Sequence, residues 1–222
     1  MLIFLRKIIQ ENKCSIYIIP LTIIILIEYF SLHYAQFHYD GFHMGLLLNA
    51  AKDLDEGKMI YKDYLYVYGL LNVYLNLLVL KIFDNNIYSL FVVYAQFYIL
   101  GIVFIYLLSK KFLGSNYALL FITIIFIIHP YLMKPWHNYL VFFLISGYLY
   151  LKSFFKIKYD LFSTLILGSI FLFSENFLLT SFLIFMIDLI YSYKIFGRKI
   201  IVKKVFIFLF SLFLFFIFLY SN

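Results

Sequence analysis

Chemistry-bearing side chains gather in one stretch, His38–Leu75, which reads HYDGFHMGLLLNAAKDLDEGKMIYKDYLYVYGLLNVYL and holds five carboxylates, two histidines and three lysines. Asp40 and His43 stand three residues apart, a spacing that shares one helical face and suits a common ligand such as a divalent metal ion. Two ligands make only half of a metal site, and a surface histidine accounts for His43 equally well. Asp40 also precedes Phe42, Leu46, Ala50 and Leu54, which recur at helical spacing. An aspartate there is a favoured N-cap of a helix over Gly41–Asp55. Asp53, Asp55 and Glu56, followed by Gly57, read as the solvated end of that helix.

The rest of the chain must position this polar stretch, and it is mostly apolar. Of 222 residues, 65% are hydrophobic and 13% charged, and the mean hydropathy is +0.98. A soluble domain needs more polar surface than that. Apolar runs recur at Ile16–Leu32, Ile87–Ser109, Ala118–Ile128, Tyr139–Phe155, Leu161–Phe173, Phe177–Tyr193 and Val205–Tyr220. The expected fold is all-α: a polytopic membrane protein with about seven transmembrane helices, each near the ~20 residues that cross the hydrocarbon core. Arg6, Lys7 and Lys13 precede the first run as in a signal sequence, but no small-x-small cleavage pattern follows, so it reads as a retained span. The net charge of +7 comes from lysines and arginines in short loops beside apolar runs, which argues for membrane orientation and against nucleic acid. Cys14 is the one cysteine, so no intrachain disulfide is expected.

The basic residues also decide whether Tyr64–Phe83 crosses. If it lies in the interface and the N-terminus is cytoplasmic, 13 of the 18 basic residues fall inside: Arg6, Lys7, Lys13, Lys110, Lys111, Lys152, Lys156, Lys158, Lys194, Arg198, Lys199, Lys203 and Lys204. If it crosses, only five remain inside. The positive-inside rule selects the first arrangement. Tyr68, Asn72 and Asn76 form a polar stripe that agrees with an interfacial helix. The chain thus reads as one membrane domain, 1–222, with no soluble C-terminal domain. Residues 33–86 form one external loop carrying two amphipathic interfacial helices.

With the loop placed outside, Asp40, His43, EGKMIYKD (Glu56–Asp63) and YGLLNVYL (Tyr68–Leu75) resemble the first external loop of GT-C glycosyltransferases. The nearest likeness is to dolichyl-phosphate-mannose protein mannosyltransferase-like and RgtA/B/C/D-like bacterial proteins. KKFLGSNYALLFITIIFIIHP (Lys110–Pro130), WHNYLVFFLISGYLYL (Trp136–Leu151) and GSIFLFSENFLL (Gly168–Leu179) are similar to later parts of that family. The chain departs from the pattern at Gly41, where a second acid is common, and at Leu70, where a proline is common. It is also shorter than most members, as a short variant, half of a split system or a remnant would be.

The resemblance implies transfer of a sugar from a polyprenyl-phosphate carrier to a lipid, glycan or protein acceptor at the outer face of the cell membrane. Such a reaction needs a base for the acceptor hydroxyl, positive charge or a metal ion beside the phosphate, and an apolar groove for the lipid. It assigns Asp40 as general base and Asp63 as a second catalytic carboxylate, with Lys62 and Lys134 facing phosphate. His43, His137 and Glu175 would contact substrate; no cofactor is certain beyond an optional divalent ion. The plainer readings are a helix cap for Asp40, a solvated turn for Lys62–Asp63 and Glu175, and an interfacial anchor for Trp136. Glu28 and Asp188 fall inside predicted spans, where ionisable groups face a protein interior or water. They keep open a non-enzymatic alternative: a lipid-carrier flippase or transporter, or an inactive partner subunit of a longer transferase.

Overall fold

Local signals set the helix boundaries in the computed structural model, which describes residues 41–60, 62–63, 69–128 and 138–221. The expected first span, Glu28, Asp40, Lys134, Trp136 and His137 lie outside these residues. The first helix, α1 (Gly41–Asp55), closes as the charged end predicts. Gly57, at φ +84°, donates to the Leu54 carbonyl (3.1 Å), and Lys58 N–H donates to that of Asp53 (2.9 Å). This paired closure satisfies two terminal carbonyls and requires a left-handed residue at position 57. The helix α2 (Leu70–Ile82) starts directly after Gly69. Asn86 then caps α3 (Ile87–Leu113), its side-chain oxygen accepting from Tyr88 N–H at 3.0 Å.

The next helices are α4 (Ser115–Ile128), directly after Gly114, α5 (Asn138–Lys152), α6 (Ile157–Phe173), α7 (Leu178–Phe196) and α8 (Arg198–Ser221). A 3-10 turn, Glu175–Phe177, separates α6 from α7. The described residues are all-helical in their regular structure, as expected. Two helices, α3 with 27 residues and α7 with 19, are long and apolar enough to cross a membrane. At 1.5 Å per residue α3 reaches about 40 Å and α2 only about 20 Å, so α2 falls short of the ~30 Å hydrocarbon core.

α3 packs most extensively on α5, α5 on α6, and α6 on α8, with α4 against α3 and α7 against α6 and α8. Tyr98 of α3 packs on Tyr139 and Phe142 of α5, and Phe104 lies against Phe143 and Tyr150. Helix α6 also meets α2, which makes it the central element of the described fold. Gly168 lets α6 approach α8 closely: a Cβ there would stand 2.8 Å from Ser211 Oγ of α8.

The hairpin α1–α2 is packed rather than loosely laid on a surface. Leu47, Ala50 and Ile60 bury against Leu70, Val73 and Phe91. The buried face of α1 is rotated from the expected Phe42-Leu46-Ala50-Leu54 stripe, because Leu47 and Ala51 are buried while Leu46 is exposed. The asparagine stripe of α2 faces inward as well. Asn72 and Asn76 are fully buried, and the Tyr94 hydroxyl of α3 contacts the side-chain oxygens of both, the second at 2.6 Å. A phenol carries one proton and can donate to only one amide. Turning the Asn76 amide would place its NH2 on the phenol oxygen and leave the phenol proton for Asn72.

Candidate functional site

Two polar assemblies occupy opposite ends of the helices. The first is the ceiling formed by α1, α2 and the 3-10 turn. Gly69, at φ +88°, lies so close to α6 that a Cβ would stand 2.4 Å from the Phe173 carbonyl carbon and 2.7 Å from Ser174 N. This contact fastens the start of α2 to the end of α6. Gly69 and Leu70 are thereby brought to the same end as the Ser-Glu-Asn turn.

Within the ceiling, Asp63 is exposed and its Oδ2 accepts from Met59 N–H at 2.7 Å, so it caps its own turn. Lys62, also exposed, places Nζ 3.5 Å from Met59 Sδ. His43 lies in the first turn of α1, and Glu175 opens the 3-10 turn. Asp40, Lys134 and His137 are not among the described residues. The acidic end of α1 is locally neutralised: Lys58 meets Asp53 at 2.5 Å and Glu56 at 3.4 Å, and Lys81 of α2 meets Asp55 at 2.5 Å. The hydrogen bond to Asp53 holds the Lys58 ammonium above its ordinary pKa range. Exposed pairs of this kind are screened by water and add little stability.

Unsatisfied buried polar atoms gather at this end. Ser174 Oγ and Asn138 Oδ1 are buried and have no hydrogen-bond partner among the described residues. No group of three or more His, Cys, Asp or Glu side chains capable of holding a metal ion occurs among the described residues.

The second assembly is one that the sequence did not reveal as a unit. Lys152 at the end of α5, Asp160 in the first turn of α6, Asp188 and Ser192 in α7 and Lys204 in α8 form a closed ionic cluster. Lys152 Nζ contacts both Asp160 and Asp188. Lys204 Nζ lies 2.5 Å from Asp188 Oδ2, 3.2 Å from Asp160 and 2.8 Å from Ser192 Oγ. Ser192 Oγ also meets Asp160 at 3.2 Å.

Two ammonium and two carboxylate groups balance in formal charge. Lys204 is 0% exposed, and its partners Asp160 and Asp188 are buried with it. The Lys152 side chain, 13% exposed, is the one edge of the cluster that meets solvent. Toward the ceiling, Phe185 of α7 stacks on Phe208 of α8 with ring centroids 4.0 Å apart, which seals that side with apolar surface. Charges buried so deeply persist only when paired and hydrogen-bonded, which this arrangement achieves across four helices.

Sequence reasoning singled out Asp188 but not its partners. Lys152 and Lys204 read as loop lysines because each neighbours other basic residues in a short connection. The available signal was Asp188-x-x-x-Ser192, two polar groups on one face of an apolar helix that demand a cation from a neighbouring helix.

No protein-family model matches the chain, and neither a curated protein nor a solved structure matches it.

Proposed function

We propose that the chain is a GT-C-like membrane glycosyltransferase, with seven spans and a cytoplasmic N-terminus, acting on a polyprenyl-phosphate-linked sugar at the outer face. The observation that carries this reading is the seating of Gly69 on Phe173–Ser174. It draws the start of the GLLNVYL helix to the SEN turn, parts of two segments on which the family resemblance rests. Asp63 and the turn that Glu175 opens belong to one end of the helices. The basic residues of the α3–α4, α5–α6 and α7–α8 turns belong to the other, as a cytoplasmic face requires.

In this reading Asp40 deprotonates the acceptor hydroxyl, Asp63 assists, and Lys62 and Lys134 meet the carrier phosphate. His43, His137 and Glu175 contact the sugar or acceptor. The unpartnered Ser174 and Asn138 oxygens add hydrogen-bonding capacity beside them. The buried ionic cluster favours the second reading, a lipid-carrier transporter or a non-catalytic partner subunit, because Asp188 lies midway along α7. The Phe185–Phe208 stack weighs against a continuous polar path through it.

A base of this kind typically contributes 10²–10⁴-fold to rate. Source cells carrying Asp40→Asn are therefore expected to lose a defined sugar from their lipid-linked or surface glycans, by mass spectrometry, at unchanged membrane protein level. An unchanged glycan profile at normal protein level removes the transferase reading.

A further inference from the structure

The end of the bundle opposite the ceiling carries a charge imbalance that the described residues do not resolve among themselves. From Ile87 to Asn222 the chain contains three carboxylates, Asp160, Glu175 and Asp188. Glu175 lies at the ceiling end. Asp160 and Asp188 are already held by Lys152 and Lys204.

Lys156, Lys158, Lys194, Arg198, Lys199 and Lys203 are all exposed around the α5–α6 and α7–α8 turns. None has a salt-bridge partner among the described residues. Helices α6, α7 and α8 pack on one another, so the two turns form a single basic rim. Aromatic side chains interleave with it: Phe155 is 52% exposed, Tyr193 is 59% exposed, and Lys158 Nζ lies 4.9 Å from the ring centre of Tyr159. Phe155 even holds a left-handed backbone, φ 51°, at the tip of its turn.

Rings at the level of the apolar boundary with long cations reaching past them suit the headgroup layer of a bilayer. A soluble anion would satisfy the charge but gives no role to the exposed rings. We propose that this rim is a binding surface for anionic phospholipid headgroups, engaged by its six unpaired cations. The ionic cluster beneath it confines the attraction to the rim, because the deeper charges already cancel. The inference rests on the membrane-spanning part of the reading above and not on sugar transfer.

The test uses the full chain in nanodiscs of equimolar phosphatidylglycerol and phosphatidylcholine, with retained lipids counted by native mass spectrometry. Wild-type protein is expected to retain phosphatidylglycerol over phosphatidylcholine by about threefold or more at low salt, with the preference falling as salt rises. The variant Lys156→Gln/Lys158→Gln/Arg198→Gln/Lys199→Gln is expected to return to the bulk ratio. A control, Lys58→Gln/Lys81→Gln at the ceiling, is expected to keep the wild-type preference. Should the fourfold variant not fold, the Lys156→Gln/Lys158→Gln and Arg198→Gln/Lys199→Gln pairs are each expected to lower the preference.

A bulk ratio for the wild type, or an unchanged preference in the rim variants, overturns the proposal. So does thermal stabilisation by soluble tripolyphosphate without any phosphatidylglycerol preference, which would indicate a soluble-anion site. Lipid preference with an unchanged Asp40→Asn glycan profile would sustain the rim and reject the transferase; the reverse pattern would do the opposite.

Discussion

Replacing Lys204 with methionine is expected to destabilise the protein by about 3–5 kcal/mol, the usual result of removing one partner from a buried ion pair. The ammonium is fully buried and has three partners, Asp188, Ser192 and Asp160, at 2.5, 2.8 and 3.2 Å. Without it, two carboxylates share Lys152 alone, and the cluster carries an uncompensated negative charge. Methionine fills similar volume, so the loss reports charge rather than a cavity. Adding Asp188→Asn to Lys204→Met restores neutrality, with Lys152 against Asp160, and is expected to recover most of the lost stability. Thermal and denaturant unfolding in detergent micelles measures both variants. A single variant within about 1 kcal/mol of wild type would place the group in water, where exposed pairs contribute that little.

Gly69→Ala is the second large effect, expected at about 2–5 kcal/mol from two sources that add. The backbone at φ 88° and ψ 140° is one that residues with a Cβ rarely adopt. The new methyl group would also meet the Phe173 and Ser174 backbone at 2.4–2.7 Å, and backbone cannot swing aside as a side chain can. Gly57→Ala separates the two sources. Gly57 has φ +84° but nothing within 4 Å of its would-be Cβ, so only the conformational cost of about 1 kcal/mol applies. Protease sensitivity of the Met59–Asp63 turn should rise in the Gly69 variant and not in the Gly57 variant. Equal effects of the two substitutions would mean that α2 is not seated on α6.

What could be read beforehand was local. The span of α1 and its closure at Gly57 follow from residues adjacent in the chain, and the structure places each there. The face that α1 buries did not follow, because Leu46 and Leu47 are equally apolar and only the position of α2 chooses between them. The stripe of Asn72 and Asn76 was visible, yet its direction depended on Tyr94, a residue supplied by the next helix. The ionic cluster was the least legible feature. Lys204 is paired with Asp160 at a separation of 44 residues, and each partner looks ordinary within its own segment.

The proposed topology turns the ceiling outward and the basic rim toward the cytoplasm. The most direct test labels single cysteines in intact cells with a membrane-impermeant maleimide, using Lys62→Cys or Lys158→Cys in a Cys14→Ser background. Both positions are exposed, so access depends only on the side of the membrane. The expected result is labelling at position 62 in intact cells and at position 158 only after permeabilisation. Labelling at 158 in intact cells, with protection at 62, would invert the topology and contradict the shared external site.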